Sequence, residues 1–163
     1  MNRLLNTKNF YLIVALLSIF TLISAIYIEY VLGAKPCKLC LYQRIPYVVA
    51  IFICFFGYSN LKNILWIYFL SLTFLVSLLL SGYHAGIENN IFAEFSGCTA
   101  NNLNITNKED LLKSLSENIP NCKDVMFKIF GLSLATINMF VSALIVIISV
   151  SYTHLTLPTT VIV

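Results

Sequence analysis

Cys37 and Cys40 stand three residues apart in Pro36-Cys37-Lys38-Leu39-Cys40-Leu41-Tyr42-Gln43-Arg44, with a cation four residues beyond the second thiol. Two thiols at this spacing serve either dithiol–disulfide exchange or metal ligation, and the spacing alone does not choose between them. Pro36 suits the approach to a helix start. A helix start presents unpaired amides and the positive end of the macrodipole, which lowers a thiol pKa and populates the nucleophilic thiolate. On that helix Arg44 shares a face with Cys40. There a guanidinium either stabilises the thiolate and donates to a polar ligand at the membrane edge, or merely snorkels to anchor the helix end.

Two more thiols, Cys98 and Cys122, flank a segment of a different kind. Thr106 and Glu109 form a capping box, Leu111, Leu112, Leu115 and Ile119 recur at helical spacing, and Pro120 ends the run. This predicts a short amphipathic helix lying on the bilayer or the bundle. A cysteine pair around it is by itself as compatible with a structural staple as with exchange. Cys54, alone among apolar residues, reads as a small hydrophobe.

The elements that must position these thiols follow from composition. Of 163 residues 59% are hydrophobic and only 10% charged, against an apolar share of about 45–50% in soluble domains. Four apolar stretches approach the roughly 18–20 residues needed to cross a bilayer as a helix: about 10–28, 41–58, 64–84 and 129–150. The second reaches that length only if its helix begins near Cys40. The predicted architecture is an all-α integral membrane protein, a single four-transmembrane-helix bundle over 1–150, because helices and closed barrels alone satisfy their backbone in lipid. The first apolar run exceeds the h-region of a signal peptide and reads as an anchor. A long loop spans about 85–128, and 151–163 forms a tail, without charge and unlike native coding sequence, in which His154 is given no function.

Four spans put both termini on one side and all four loop cysteines on the other, as an oxidising compartment would require. The count of Lys and Arg favours the cysteine side as cytoplasmic. The acidic residues of the long loop and the basic flank of the first span, Arg3 and Lys8, weigh the other way. The expected orientation keeps the termini cytoplasmic.

The chain closely resembles the DsbB family of bacterial membrane disulfide-forming proteins. The resemblance rests on "CKLCLYQR", on "GYHAGIE" from Gly82 to Glu88, on Cys98 and Cys122 in the third loop, and on "GLSLATIN" from Gly131 to Asn138. The histidine motif is most similar to the branch with Gly and Glu after the histidine, close to DsbI-like members. The resemblance implies a relay. A reduced thioredoxin-fold oxidase of the DsbA type attacks a Cys98–Cys122 disulfide, electrons pass to Cys37–Cys40, and Cys40 faces a membrane quinone, ubiquinone or menaquinone, held by Arg44 and His84. Glu88 would orient His84 if the third helix continues that far. The implied setting is the bacterial inner membrane with the cysteine loops periplasmic, and neither a metal nor nucleic acid is expected. Gly131, Ser133 and Ala135 read as small residues for close helix packing. The rival readings are a four-thiolate metal site on Cys37, Cys40, Cys98 and Cys122, a disulfide-stapled bundle without catalysis, and a vitamin K epoxide reductase-like enzyme, whose arginine spacing fits less well.

Overall fold

The computed structural model describes residues 2–61, 63–93, 122–123, 128–129 and 131–156. Four helices are long and apolar enough to cross a membrane. Helix α1 covers Asn2–Tyr30; a short α2, Lys38–Tyr42, leads into α3, Ile45–Ser59; α4 covers Leu65–Glu88; and α5 covers Leu134–Thr156. The second span is thus α2 and α3 together, and α4 continues through Glu88.

Its break has a local cause. Pro46 has no N–H to donate, and its ring excludes the carbonyl of the residue four before it. The chain turns at Gln43 and Arg44, with Arg44 N donating to Leu41 O at 3.1 Å, and a new helix starts at Ile45. The fourth span also departs from its expected start near 129. Lys128–Ile129 (β1) and Leu132–Ser133 (β2) pair antiparallel around Gly131, whose φ of 82° suits glycine. Ser133 Oγ then accepts from Thr136 N at 3.2 Å, an N-cap that fixes the helix start at Leu134. The fourth helix therefore runs from Leu134 into the expected tail. The amphipathic helix expected around 106–119 lies outside the described residues.

The bundle is apolar outside and selectively polar inside. Phe20, Phe55, Leu79 and Ile147 are all more than 60% exposed, as lipid-facing side chains should be, whereas Ser18, Ser77, Ser81 and Ser142 are fully buried. Backbone carbonyls one turn back satisfy two of these hydroxyls (Ser18 to Val14, Ser81 to Ser77, each 2.8 Å), and Ser77 meets Ser142 across the α4–α5 seam at 2.9 Å. Helix α1 packs on α3, α3 on α4, and α4 on α5. At the terminal end α1 and α5 close the ring through Phe10 and Tyr152, whose centroids lie 4.7 Å apart. Towards the cysteine end they diverge around a cavity walled by Phe20 and Ala25 on one side and Ile137 and Val141 on the other.

Gly57 sets the α1–α3 approach. A β-carbon there would stand 2.7 Å from the Tyr11 ring, which is 1% exposed and has no room to withdraw. Gly57→Ala is expected to destabilise the bundle by about 1–3 kcal/mol through overpacking. Thermal unfolding in detergent checks this, and an unchanged midpoint would show that the seam tolerates a methyl group.

Candidate active site

The start of α2 builds the inner thiol pair. Cys37 is its N-cap residue, and Sγ accepts from Cys40 N at 3.3 Å. The two sulfurs stand 3.0 Å apart as free thiols. Cys37 is buried, and Cys40 is partly exposed towards the cavity. The hydrogen bond with the Cys40 thiol, the His84 ring beside it and the Cys40 amide together hold the Cys37 thiol well below the ordinary thiol range, against the opposing effect of burial.

His84 comes from the last turns of α4, where it is buried. Its Nε2 lies 3.6 Å from Cys37 Sγ and 3.7 Å from Glu88 Oε1, one helical turn on. Its Nδ1 lies 3.0 Å from Gln43 Nε2. The ring also hydrogen-bonds the backbone of Cys122. Past the end of α4, Phe92 folds back over Gly86, where even a β-carbon would come within 2.2 Å of the ring. Glycine at 86 leaves room for the ring to lie there.

Cys122 is disulfide-bonded and buried, and it packs with Cys37, Leu39 and Ile87 in one apolar cluster that Cys40 and Tyr83 border. Cys98, its expected partner, lies outside the described residues. The inner thiols and one end of the outer disulfide are therefore neighbours, although 82 residues or more separate them in sequence. The described ends of the two cysteine pairs meet at His84.

On the other side of Cys37 and Cys40 lies the cavity between α1 and α5, of about 320 Å³. That volume falls at the lower end of small-molecule sites, and its largely apolar walls with a few convergent polar groups are typical of them. Arg44 and His84 both line it. Arg44 does not lie along the Cys40 face of one continuous helix. The turn before α3 aims its guanidinium at α1, where Nη1 donates to Glu29 Oε2 at 2.6 Å.

The match to known proteins decides the family. The model described as "Disulfide bond formation protein DsbB" matches residues 7–152, nearly the whole chain. The chain belongs to the DsbB family. It is 29% identical over 86 residues to "Disulfide bond formation protein B" of Ralstonia nicotianae (strain ATCC BAA-1114 / GMI1000), which covers 52% of this chain and 54% of that protein. It is 28% identical over 142 residues to "Uncharacterized protein RP370" of Rickettsia prowazekii (strain Madrid E), covering 83% and 81%. This is a multi-pass membrane protein of disulfide bond formation, and its DsbB membership makes it an oxidoreductase.

Four polar residues that the sequence reading gave no site role stand around this DsbB-family site: Glu29, Gln43, Tyr47 and Asn138. Gln43 and Asn138 carried a signal, because amides inside an apolar span are unfavourable unless they find partners. Glu29 and Tyr47, at positions where interfacial residues are ordinary, did not.

Proposed function

We propose that this protein is a membrane thiol:quinone oxidoreductase that reoxidises a periplasmic DsbA-type dithiol protein. The observation that carries the reading is the position of Cys37 and Cys40, free thiols between the buried Cys122 disulfide and a cavity that opens between two lipid-facing helices. A thiol pair so placed exchanges with a disulfide on one side and meets a lipid-soluble acceptor on the other.

The residues divide the work as follows. A thiolate of the soluble partner attacks Cys98 of the Cys98–Cys122 disulfide, and Cys122 leaves as a thiolate. Cys122 then attacks Cys37 of an oxidised Cys37–Cys40 pair, and Cys40 leaves. The partner's second thiol releases Cys98 by forming the partner's own disulfide; Cys98 displaces Cys37 from Cys122, and the outer bond is restored. The net change is one disulfide gained by the partner and two thiols at Cys37 and Cys40. A quinone bound in the cavity, ubiquinone or menaquinone, supplies the two-electron acceptor that restores the inner disulfide. Arg44 and His84 line the cavity and would be the residues facing its oxygens, Arg44 once turned from Glu29, and the apolar walls would keep water from the ring. A strongly oxidising partner needs a still better acceptor, since each 30 mV uphill costs about 1.4 kcal/mol for two electrons. The setting is the bacterial inner membrane with the cysteine loops periplasmic.

The test mixes the detergent-solubilised protein, a reduced DsbA-type protein and a short-chain quinone, and follows quinone absorbance. Loss of absorbance that requires both proteins is expected. Absorbance that stays constant although the partner's thiols are accessible would sink the reading.

One observation favours a second reading. The ligand atoms of Cys37, Cys40 and His84 lie within 4.8 Å of one another, close enough to share a metal ion. The four-thiolate set is not assembled, since Cys122 is disulfide-bonded, so this reading rests on two thiolates and an imidazole. Metal analysis of the purified reduced protein before and after thiol oxidation separates the two readings, because a metal held by these thiolates is present at stoichiometric occupancy and is released when they oxidise, whereas an exchanging pair carries none.

A further inference from the structure

The hydrogen bonds at His84 do not stop at the thiols. Gln43 Nε2 meets His84 Nδ1 at 3.0 Å; Gln43 Oε1 accepts from Asn138 Nδ2 at 3.2 Å; Asn138 Oδ1 accepts from Tyr47 and, at 3.4 Å, from Ser142; and Ser142 meets Ser77 at 2.9 Å. This chain crosses from α4 through the α2–α3 turn to α5 and back to α4, inside a bundle whose outer faces are apolar. Gln43, His84 and Tyr47 are each less than 9% exposed, and both serines are fully buried.

We propose that Gln43 and Asn138 form a two-amide switch whose direction sets whether the Cys37–His84 pair holds one proton or two. In the direction observed, Gln43 Nε2–H donates to Nδ1, so in the neutral ring the proton sits on Nε2, which faces Cys37 Sγ at 3.6 Å and Glu88 Oε1 at 3.7 Å. His84 in that form has no lone pair facing the sulfur and cannot take a proton from it. With a second proton on the pair, either as thiol and neutral ring or as thiolate and imidazolium, Nδ1 carries hydrogen and must donate. Gln43 then presents Oε1 to it, and Asn138 presents Oδ1 to Gln43. Proton transfer between Cys37 Sγ and His84 Nε2 makes and breaks only those two bonds to hydrogen, and the ring needs a matching partner at Nδ1 on both sides of the step.

The far end of the chain permits the reversal. Tyr47, Ser142 and Ser77 are hydroxyls, each able to donate or accept, so both directions satisfy the same contacts along the chain from Gln43 to Ser77. A buried amide with a fixed carboxylate or guanidinium beyond it would hold one direction only. Gln43 and Asn138 are positioning residues under this reading, because they act on the sulfur through His84. It rests on Cys37 and Cys40 being the exchanging pair.

The charged and titratable groups near Cys37 and His84, among the described residues, are Cys40 from α2, Glu88 from α4, and Lys35, Arg44 and Tyr47 at the cavity, with Glu29 of α1 on Arg44. Lys123 follows Cys122 on the disulfide side and is exposed. Helix α5 brings the neutral Asn138 to the cavity. The switch is therefore read best directly at the ring and at the sulfur, by two measurements that need neither quinone nor partner protein.

The first is nitrogen-15 NMR of histidine-labelled protein on a His154→Ala background, which leaves His84 the single histidine. The second is the pH midpoint of Cys37 alkylation in the reduced protein, located by mass spectrometry. The parent is expected to show the neutral ring protonated on Nε2 alone. Gln43→Glu, which as a carboxylate only accepts, is expected to move hydrogen onto Nδ1 and lower the alkylation midpoint on the order of one pH unit. Asn138→Leu, which does not touch His84, is expected to mix the two tautomers and raise the midpoint by roughly half a unit, and Gln43→Met should do the same. If Asn138→Leu folds and leaves tautomer and midpoint unchanged, the switch is refuted. Should that variant not fold, a Gln43→Glu ring still protonated on Nε2 alone refutes it equally. Absence of quinone reduction, by contrast, would defeat the proposed function and leave both of these readings intact.

Discussion

Cys40→Ser is expected to reduce thiol-dependent quinone reduction to the background of the mixture, a loss of at least about 10³-fold as for removal of other catalytic nucleophiles, while the protein stays folded. The geometry explains both halves. Cys40 Sγ is the sulfur 3.0 Å from Cys37, and it borders the cavity. Among the described residues the free thiol outside this pair, Cys54, is buried with Tyr11, Ala50 and Phe74 in the bundle core and offers no substitute. A serine at position 40 keeps the backbone amide that donates to the Cys37 cap and loses one partly exposed sulfur, so thermal unfolding should move little. The non-catalytic readings make the opposite forecast. A stapled bundle is indifferent to this change, whereas a metal site on Cys37, Cys40 and His84 loses its ion. Turnover retained by a folded Cys40→Ser protein would remove the inner pair from the electron path.

Arg44→Gln is expected to raise the quinone KM by roughly 10- to 100-fold with a smaller effect on kcat. A charged donor to a carbonyl oxygen contributes about 1.5–3 kcal/mol, and each 1.4 kcal/mol is a factor of ten. Glu29→Gln separates binding from anchoring. The Arg44–Glu29 pair has about a quarter of each side chain exposed, so it is worth less than a fully buried pair, and its loss leaves the guanidinium free to turn to the cavity. Glu29→Gln should therefore leave KM near or below the parent value and loosen the tie between α1 and the α2–α3 turn. If Arg44→Gln and Glu29→Gln weaken thermal stability alike and neither alters KM, Arg44 only anchors the first helix.

The thiol pair at a helix start was legible before the fold, because proline, two cysteines and an apolar run are local signals that need no partner. His84 was legible as a residue of a family motif; its contacts with Gln43 and Cys122 were not. That Glu88 reaches the ring depended on whether α4 continued past Ala85, and the sequence left this open. Arg44 was placed by i, i+4 spacing on one helix. Pro46 interrupts that helix, and the guanidinium turns to α1 instead. The start of the fourth span was misread for a similar reason. Apolar content continues through 129–133, but Gly131 and the Ser133 cap end one element and begin another within it.

By itself the sequence determined the number of spans, the family, and the residue types able to exchange electrons. Hydropathy is summed along the chain, and a C-x-x-C needs only its own helix. The tertiary structure alone decided that Cys122 lies against Cys37, that α1 and α5 part to leave a cavity beside both inner thiols, and that Gln43 of the α2–α3 turn links one ring nitrogen of His84 to Asn138 of α5. The contacts at His84 and Gln43 join residues 41 and 95 apart, and the cavity walls lie farther apart still in the chain. Helix crossing and side-chain packing set such contacts, and no periodicity in the chain records which faces will meet.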